Sequence, residues 1–161
     1  MIIHILCSDG SPLGCSLKDL WGQGRRGIGL GGSEYALLTM CEQWHTEGHE
    51  VILYNSPLDG GDNLFEQRNV DNFNPSDRPD VLIIFRSPNP YAAISDAKLK
   101  VWWSCDQFTV GNFASFAPMV DKIVLISEHH REYFAKHYGI TDVEVIDLPV
   151  RYQDFKIVKD V

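Results

Sequence analysis

Short runs of β-branched and aromatic residues alternate along the chain with segments whose apolar positions recur every three or four residues. The runs fall at about 2–7, 51–55, 81–85, 100–104, 122–126 and 143–147. Several are almost continuously apolar, Val81-Leu82-Ile83-Ile84-Phe85 most plainly. That is the pattern of parallel strands covered on both faces. Between the first two runs, Leu37, Met40, Cys41 and Trp44 form a stripe at i, i+3, i+4 and i+7, which predicts a helix over 34–47 with that stripe facing a sheet. Ser33 is placed to cap its start, Glu34 puts negative charge at the positive end of its dipole, and Gly48 supplies a left-handed stop. A second helix is predicted over 128–138, with Ser127 as N-cap, Tyr133, Phe134, His137 and Tyr138 on its buried side, and Gly139 as its stop. Shorter helices are expected near 91–97 and 112–119, the latter limited by Pro118, and a short edge strand near 67–70. Strand and helix alternating in this way predict an α/β fold, a doubly wound parallel sheet with right-handed crossovers.

Two connections are too long for simple turns. Residues 8–32 lie at a carboxyl end of the predicted sheet, where open α/β folds bind ligands. Residues 56–80, rich in Asp, Asn, Gly and Pro, read as a variable excursion.

Composition narrows the classes. The 161 residues correspond to roughly one domain. Apolar residues make up 44% and charged residues 22%, which excludes a disordered tail, a collagen-like repeat or a coiled coil. The net charge of −8 and the scattered basic residues, paired only at Arg25-Arg26, argue against nonspecific nucleic-acid binding and against docking on an anionic membrane. The longest apolar runs are far short of the roughly 20 residues a membrane span needs. The amino terminus has no basic region or cleavage site and reads as a strand, not a signal peptide. Cys7, Cys15, Cys41 and Cys105 include no C-x-x-C pair, so they read as reduced thiols of a cytoplasmic protein.

Four segments carry candidate chemistry. Gly27-Ile28-Gly29-Leu30-Gly31-Gly32-Ser33-Glu34 opens the strongest helix. Its glycines allow close backbone approach, and unpaired N–H groups at a helix start suit a phosphate; equally, the glycines fit a tight loop. The Walker lysine is missing, and about twenty residues separate this loop from the first strand, unlike the dinucleotide fingerprint. Cys105, Asp106 and Gln107 fall past the end of a strand on the same rim. Asp106 suits proton acceptance or hydroxyl binding, or else caps the following turn. Trp102 and Trp103 point to opposite sheet faces, one into the core and the other toward a pocket. Arg86, in Arg86-Ser87-Pro88-Asn89, suits a phosphate or carboxylate, or a surface ion pair. In Ser127-Glu128-His129-His130 the two histidines point about 100° apart, so no metal site is expected. No Gly-x-Ser-x-Gly elbow supports a serine hydrolase.

The stretch from Gly31-Gly32-Ser33-Glu34-Tyr35-Ala36 to Gly48-His49-Glu50-Val51 resembles the start of GT-B glycosyltransferases of the large retaining family 4. Val120–Glu128 is similar to that family's strand ending in Ser and opening a helix, and Val143–Phe155 sits where the family has its exit strand and linker. The resemblance implies a Rossmann-like domain, 1–148, forming the acceptor-side half of a GT-B fold. It makes 149–161 the start of an interdomain linker, and it leaves the donor domain outside the chain. It implies a hexosyl-type transferase that moves a sugar from a UDP- or GDP-linked donor to an acceptor with retention, the chain alone being inactive. It puts Gly31, Gly32 and Ser33 on the donor-phosphate side. It puts Asp106 at the catalytic position, with Arg86, Asn89, Cys105, Gln107, Ser127 and Glu128 around the sugar or acceptor. The expected partners are a nucleotide sugar, an acceptor, a separate C-terminal domain and a second copy meeting at the cleft surface; no other cofactor is expected. The chain departs from the family at Cys105, where a histidine is common, and at Asp147-Leu148-Pro149-Val150-Arg151-Tyr152, which has no Asn-Gly. The competing expectations are a stand-alone nucleotide- or phosphate-binding module and an interaction domain without chemistry.

Overall fold

A computed structural model describes residues 1–9, 31–55 and 64–151. In chain order the elements are β1 (Ile2–Leu6), α1 (Gly32–Thr46), β2 (Glu50–Asn55), β3 (Glu66–Asn69), β4 (Val81–Phe85), α2 (Pro90–Ala93), β5 (Leu99–Trp103), α3 (Phe113–Phe116), β6 (Lys122–Leu125), α4 (Glu128–Tyr138) and β7 (Glu144–Val145). The seven described strands form one all-parallel sheet in the order β3-β2-β1-β4-β5-β6-β7. The fold is therefore α/β, a Rossmann-like doubly wound sheet. Strand order reverses at β1, which pairs with β2 on one side and β4 on the other.

The register turns the apolar runs into two cores, because successive side chains leave a strand on opposite faces. Leu6, Tyr54, Leu82, Ile84, Trp102 and Leu125 point to one face, where Phe113, Phe116 and Phe134 of α3 and α4 cover them. Ile3, Ile5, Leu53, Ile83, Phe85 and Trp103 point to the other, where Leu37, Leu38 and Cys41 of α1 pack. Trp102 is fully buried and meets Phe113 and Phe116 edge to face at 4.9 and 5.2 Å. Burying an aromatic side chain of this size stabilises by about 1.5–3 kcal/mol, and such ring pairs add to it. The adjacent tryptophans do divide between the faces as expected, and both are buried.

The start of α1 differs from expectation. α1 begins at Gly32 with Gly31 as N-cap, because Tyr35 N–H already donates to the Gly31 carbonyl at 2.9 Å. Ser33 is thus inside the first turn and caps nothing; its hydroxyl donates to Glu34 Oε2 at 3.1 Å. On α4, Ser127 caps as expected, its Oγ accepting from His130 N–H at 3.1 Å. The buried side of α4 is shifted, however. His130 and Phe134 face the sheet, with Tyr138 half-buried below them, whereas His137 is exposed and stacks on Tyr133. The i, i+4 row 130–134–138 points inward, and His137 lies one position off it. The helices expected at 91–97 and 112–119 shrink to the single turns α2 and α3, α3 running into a short 3₁₀ turn over Ala117–Met119. Residues 10–30, 56–63 and 152–161, with most of the glycine-rich loop, Arg25-Arg26, Cys15 and most of the expected linker, lie outside the described residues.

Gly139 ends α4 in the left-handed region at φ 69°, and Ile140 N–H reaches back to the Phe134 carbonyl at 3.3 Å. An added Cβ meets no atom there, so the cost of Gly139→Ala is that of the backbone conformation, about 1 kcal/mol. Calorimetry should show a melting temperature lower by about 2–4 °C.

Candidate functional site

Four stretches of chain meet at the carboxyl rim where the strand order reverses. They are the end of β1 at Asp9, the start of α1 at Glu34, the end of β4 at Arg86 and the end of β5 at Asp106. Arg86 is the hub. Its Nη1 lies 2.7 Å from Glu34 Oε1 and 3.0 Å from Asp9 Oδ2, and its Nε donates to Asp106 Oδ2 at 2.9 Å. The guanidinium and the first two carboxylates are largely buried, at 21%, 14% and 14% side-chain exposure, while Asp106 keeps 37%. Burial works against the Arg86 charge. The Asp106 hydrogen bond and the charges of Asp9, Asp106 and Glu34 outweigh it, so the pKa rises above the ordinary arginine value.

The backbone of Arg86 is as constrained as its side chain. Its φ is +62°, the only positive value at a non-glycine among the described residues. For such a residue this conformation costs about 1–3 kcal/mol and persists only where the surroundings impose it. Here the Arg86 N–H donates to the Trp103 carbonyl at 2.8 Å, and the next N–H, Ser87, donates to Phe85 at 2.9 Å. The Arg86 carbonyl accepts from the Trp102 indole at 2.8 Å. The core tryptophan thus fixes the rim.

The Asp106 segment is anchored from α4. The Asp106 carbonyl accepts from His130 Nε2 at 2.9 Å and from Ser104 Oγ at 3.3 Å. The Gln107 carbonyl accepts from the Tyr138 hydroxyl at 2.7 Å. His130 is 3% exposed and among the described residues its Nδ1 has no partner; burial, first of all, lowers its pKa. Burial, and then the Asp106 charge, push the Cys105 thiol up to about 12. Cys105 is therefore a protonated neighbour and not a nucleophile at neutral pH.

At the start of α1 the Glu34 carboxylate folds back over Gly31, where a Cβ would sit 2.1 Å from Oε2. Gly31, Gly32 and Ser33 therefore present a helix start that already faces a carboxylate. Asn89 stands next to the rim, donating to Ser8 Oγ at 3.0 Å while its Oδ1 caps α2 through Ala92 N–H at 3.0 Å. Gln107 turns toward His129, 3.3 Å away. Ser127 is the α4 cap and Glu128 pairs with Arg131, so these two shape α4 and make no bond to Arg86 or Asp106. The structure adds Asp9 to the residues singled out from sequence, and it gives Glu34 and His130 direct bonds to Arg86 and to the Asp106 carbonyl that the sequence did not assign. Glu34 had a signal, its place in the first turn of α1, where a carboxylate faces the positive end of the helix dipole; that it reaches back over Gly31 follows only from the observed cap.

The pocket expected behind one tryptophan lies behind Trp103, away from the Arg86 rim. A cavity of about 250 Å³ under Trp103, between α1 and β4–β6, is lined chiefly by Met40, Trp44, Ile83, Val101 and Val124. It lacks the convergent polar groups that orient a small ligand, which the Arg86 rim supplies. Among the described residues no group of three or more His, Cys, Asp and Glu is placed to hold a metal ion, and no helix is long and apolar enough to cross a membrane. Compared with known proteins, the chain matches no protein-family model and no curated protein sequence.

The atoms nearest the Cβ of Gly31→Ala belong to the flexible end of Glu34. The substitution should push that carboxylate off Arg86 and lower stability in the wild type. In a Glu34→Ala background it should cost nothing further, a non-additivity that urea denaturation of the four proteins would measure. A pH effect follows from the two buried histidines. His4, like His130, has its pKa lowered, chiefly by burial. In the unfolded chain both titrate near about 6.5. Below that pH the unfolded chain binds protons that the folded chain does not, so stability falls as pH drops. The urea midpoint should be lower at pH 5.5 than at 7.5, and His130→Gln, which keeps a donor for the Asp106 carbonyl, should shrink the difference.

Proposed function

We propose that this chain is the acceptor-side domain of a sugar transferase, similar to the retaining GT-B enzymes, and that the Arg86–Asp106 rim binds hydroxyl groups of a carbohydrate. The observation that carries this reading is the half-exposed Asp106 carboxylate, fixed by Arg86 at the point where the sheet order reverses. Oδ2 is held by the guanidinium, and among the described residues Oδ1 has no partner. A carboxylate oxygen presented on a rigid rim accepts from a hydroxyl in a charge-assisted bond, about twice as strong as a neutral one. Such an oxygen orients the hydroxyl for attack and draws on its proton; the rest of the catalysis is positioning and stabilisation of a leaving diphosphate.

The donor in this reading is a UDP- or GDP-linked sugar held mainly by a second domain. Its diphosphate approaches Gly31, Gly32 and Ser33 across a cleft, and to reach their N–H groups it displaces the Glu34 carboxylate. That carboxylate is also why hydroxyl binding is preferred over a stand-alone phosphate module. A phosphate would meet like charge at the helix start, whereas a hydroxyl meets acceptors.

Saturation-transfer NMR on the purified chain, with the methyl pyranosides of glucose, galactose and mannose, tests this. At least one should bind, and Asp106→Asn should weaken it about tenfold or more, a change equal to about 1.4 kcal/mol, with the melting temperature measured as a control for folding. Tight binding of UDP or GDP by the chain alone, lost in Gly32→Val, would replace this reading with a nucleotide-binding module.

A further inference from the structure

Among the described residues phenylalanine belongs to the core, with one exception. Six of the seven described phenylalanines are at most 7% exposed, whereas Phe108 is 73% exposed. The exception does not come from a slack loop. On the amino-terminal side, the Asp106 and Gln107 carbonyls are held by His130, Ser104 and Tyr138. On the carboxyl-terminal side, Gly111 takes φ 118° with its Cα so close to Pro88 that a Cβ would meet that ring at 3.1–3.4 Å. The Oδ1 of Asn112 then accepts the Ser115 N–H at 3.0 Å to start α3. Between these two fixed ends Phe108 and Val110 are exposed, and Phe108 follows Asp106 by two residues.

We propose that Phe108 is the platform on which the ring of the bound sugar stacks while Asp106 takes its hydroxyls. This rests on the carbohydrate reading of the rim. A pyranose has hydroxyls around its edge and a face of C–H groups carrying partial positive charge. An aromatic face carries partial negative charge and is apolar. The two surfaces match, and the stacked C–H face leaves water as the Phe108 ring does. Two residues of chain span at most about 7 Å between Cα atoms, a separation that one hexose can bridge. The pairing gives selectivity that neither group gives alone. An acyclic polyol offers the same hydroxyls to Asp106 but no flat C–H face to Phe108. Phe108 is on this account a specificity-determining residue.

The test uses the purified chain, the three methyl pyranosides and sorbitol as the acyclic polyol, with Phe108→Ala, Phe108→Trp and Asp106→Asn. Phe108 packs little against the fold, so its variants should melt with the wild type. Phe108→Ala should weaken the pyranoside about tenfold, Phe108→Trp should keep it, and sorbitol should bind equally weakly to both. With the other phenylalanines deuterated, sugar ring protons should show nuclear Overhauser contacts to Phe108. If the pyranoside needs Asp106 but binds Phe108→Ala as it binds the wild type, the platform is wrong and the carbohydrate reading stands. If no pyranoside binds the wild type, both fall. If light scattering shows a wild-type dimer that Phe108→Ala dissolves, the exposed ring is a self-association contact and the platform is overturned.

Discussion

The bond from the Trp102 indole to the Arg86 carbonyl ties the hydrophobic core to the functional rim. Trp102 is fixed by Phe113, Phe116 and Phe134 on three sides. An unpaired buried indole N–H costs free energy, and the acceptor that Trp102 finds is the carbonyl of a residue in the left-handed region. Arg86 cannot relax toward an ordinary conformation without giving up that bond and the one from its own N–H to Trp103. The strain at Arg86 is thus maintained by burial of aromatic surface about one residue deeper in the sheet.

The side chain turns this local constraint into a site. One guanidinium gathers carboxylates from three separate stretches, after β1, in the first turn of α1 and after β5. Each pair is partly buried, and each carboxylate helps keep the arginine charged against the cost of burial. On the far side, α4 grips the Asp106–Gln107 backbone by two side chains from its inner row, His130 and Tyr138. The carboxylate of Asp106 is therefore held at both ends, by Arg86 through its side chain and by α4 through its backbone. Pre-organisation of this kind is what a site that must orient a hydroxyl requires.

The apolar cavity beneath Trp103 and the polar rim are different kinds of surface, and the sheet explains why. Above the plane of the strand ends, loops bring charged groups together. On the α1 face the middle of the sheet is covered, among the described residues, by one helix and the segment Ile146–Arg151, the latter fastened by Arg151 to Glu42 at 2.8 Å. An apolar hollow results where packing between that helix and β4–β6 is incomplete.

The sequence by itself determined the fold. Period-two and near-continuous apolar runs mark strands because side chains alternate across a sheet. The Leu37–Cys41 stripe, the Ser127 cap and the Gly139 stop mark helices because backbone geometry leaves few alternatives at those positions. Even the short edge strand over Glu66–Asn69 was legible. Local rules failed where two residue types competed for one place. Gly31 displaced Ser33 as the α1 cap, and His130 displaced His137 from the buried row of α4. Arg86 and Asp106 could be singled out from their position past strand ends. Their pairing could not, nor could their union with Asp9 and Glu34, because residues 9, 34, 86 and 106 are joined only through strand order. No local pattern encodes which strand lies beside which, and only the packed sheet brings three carboxylates within hydrogen-bonding distance of one guanidinium.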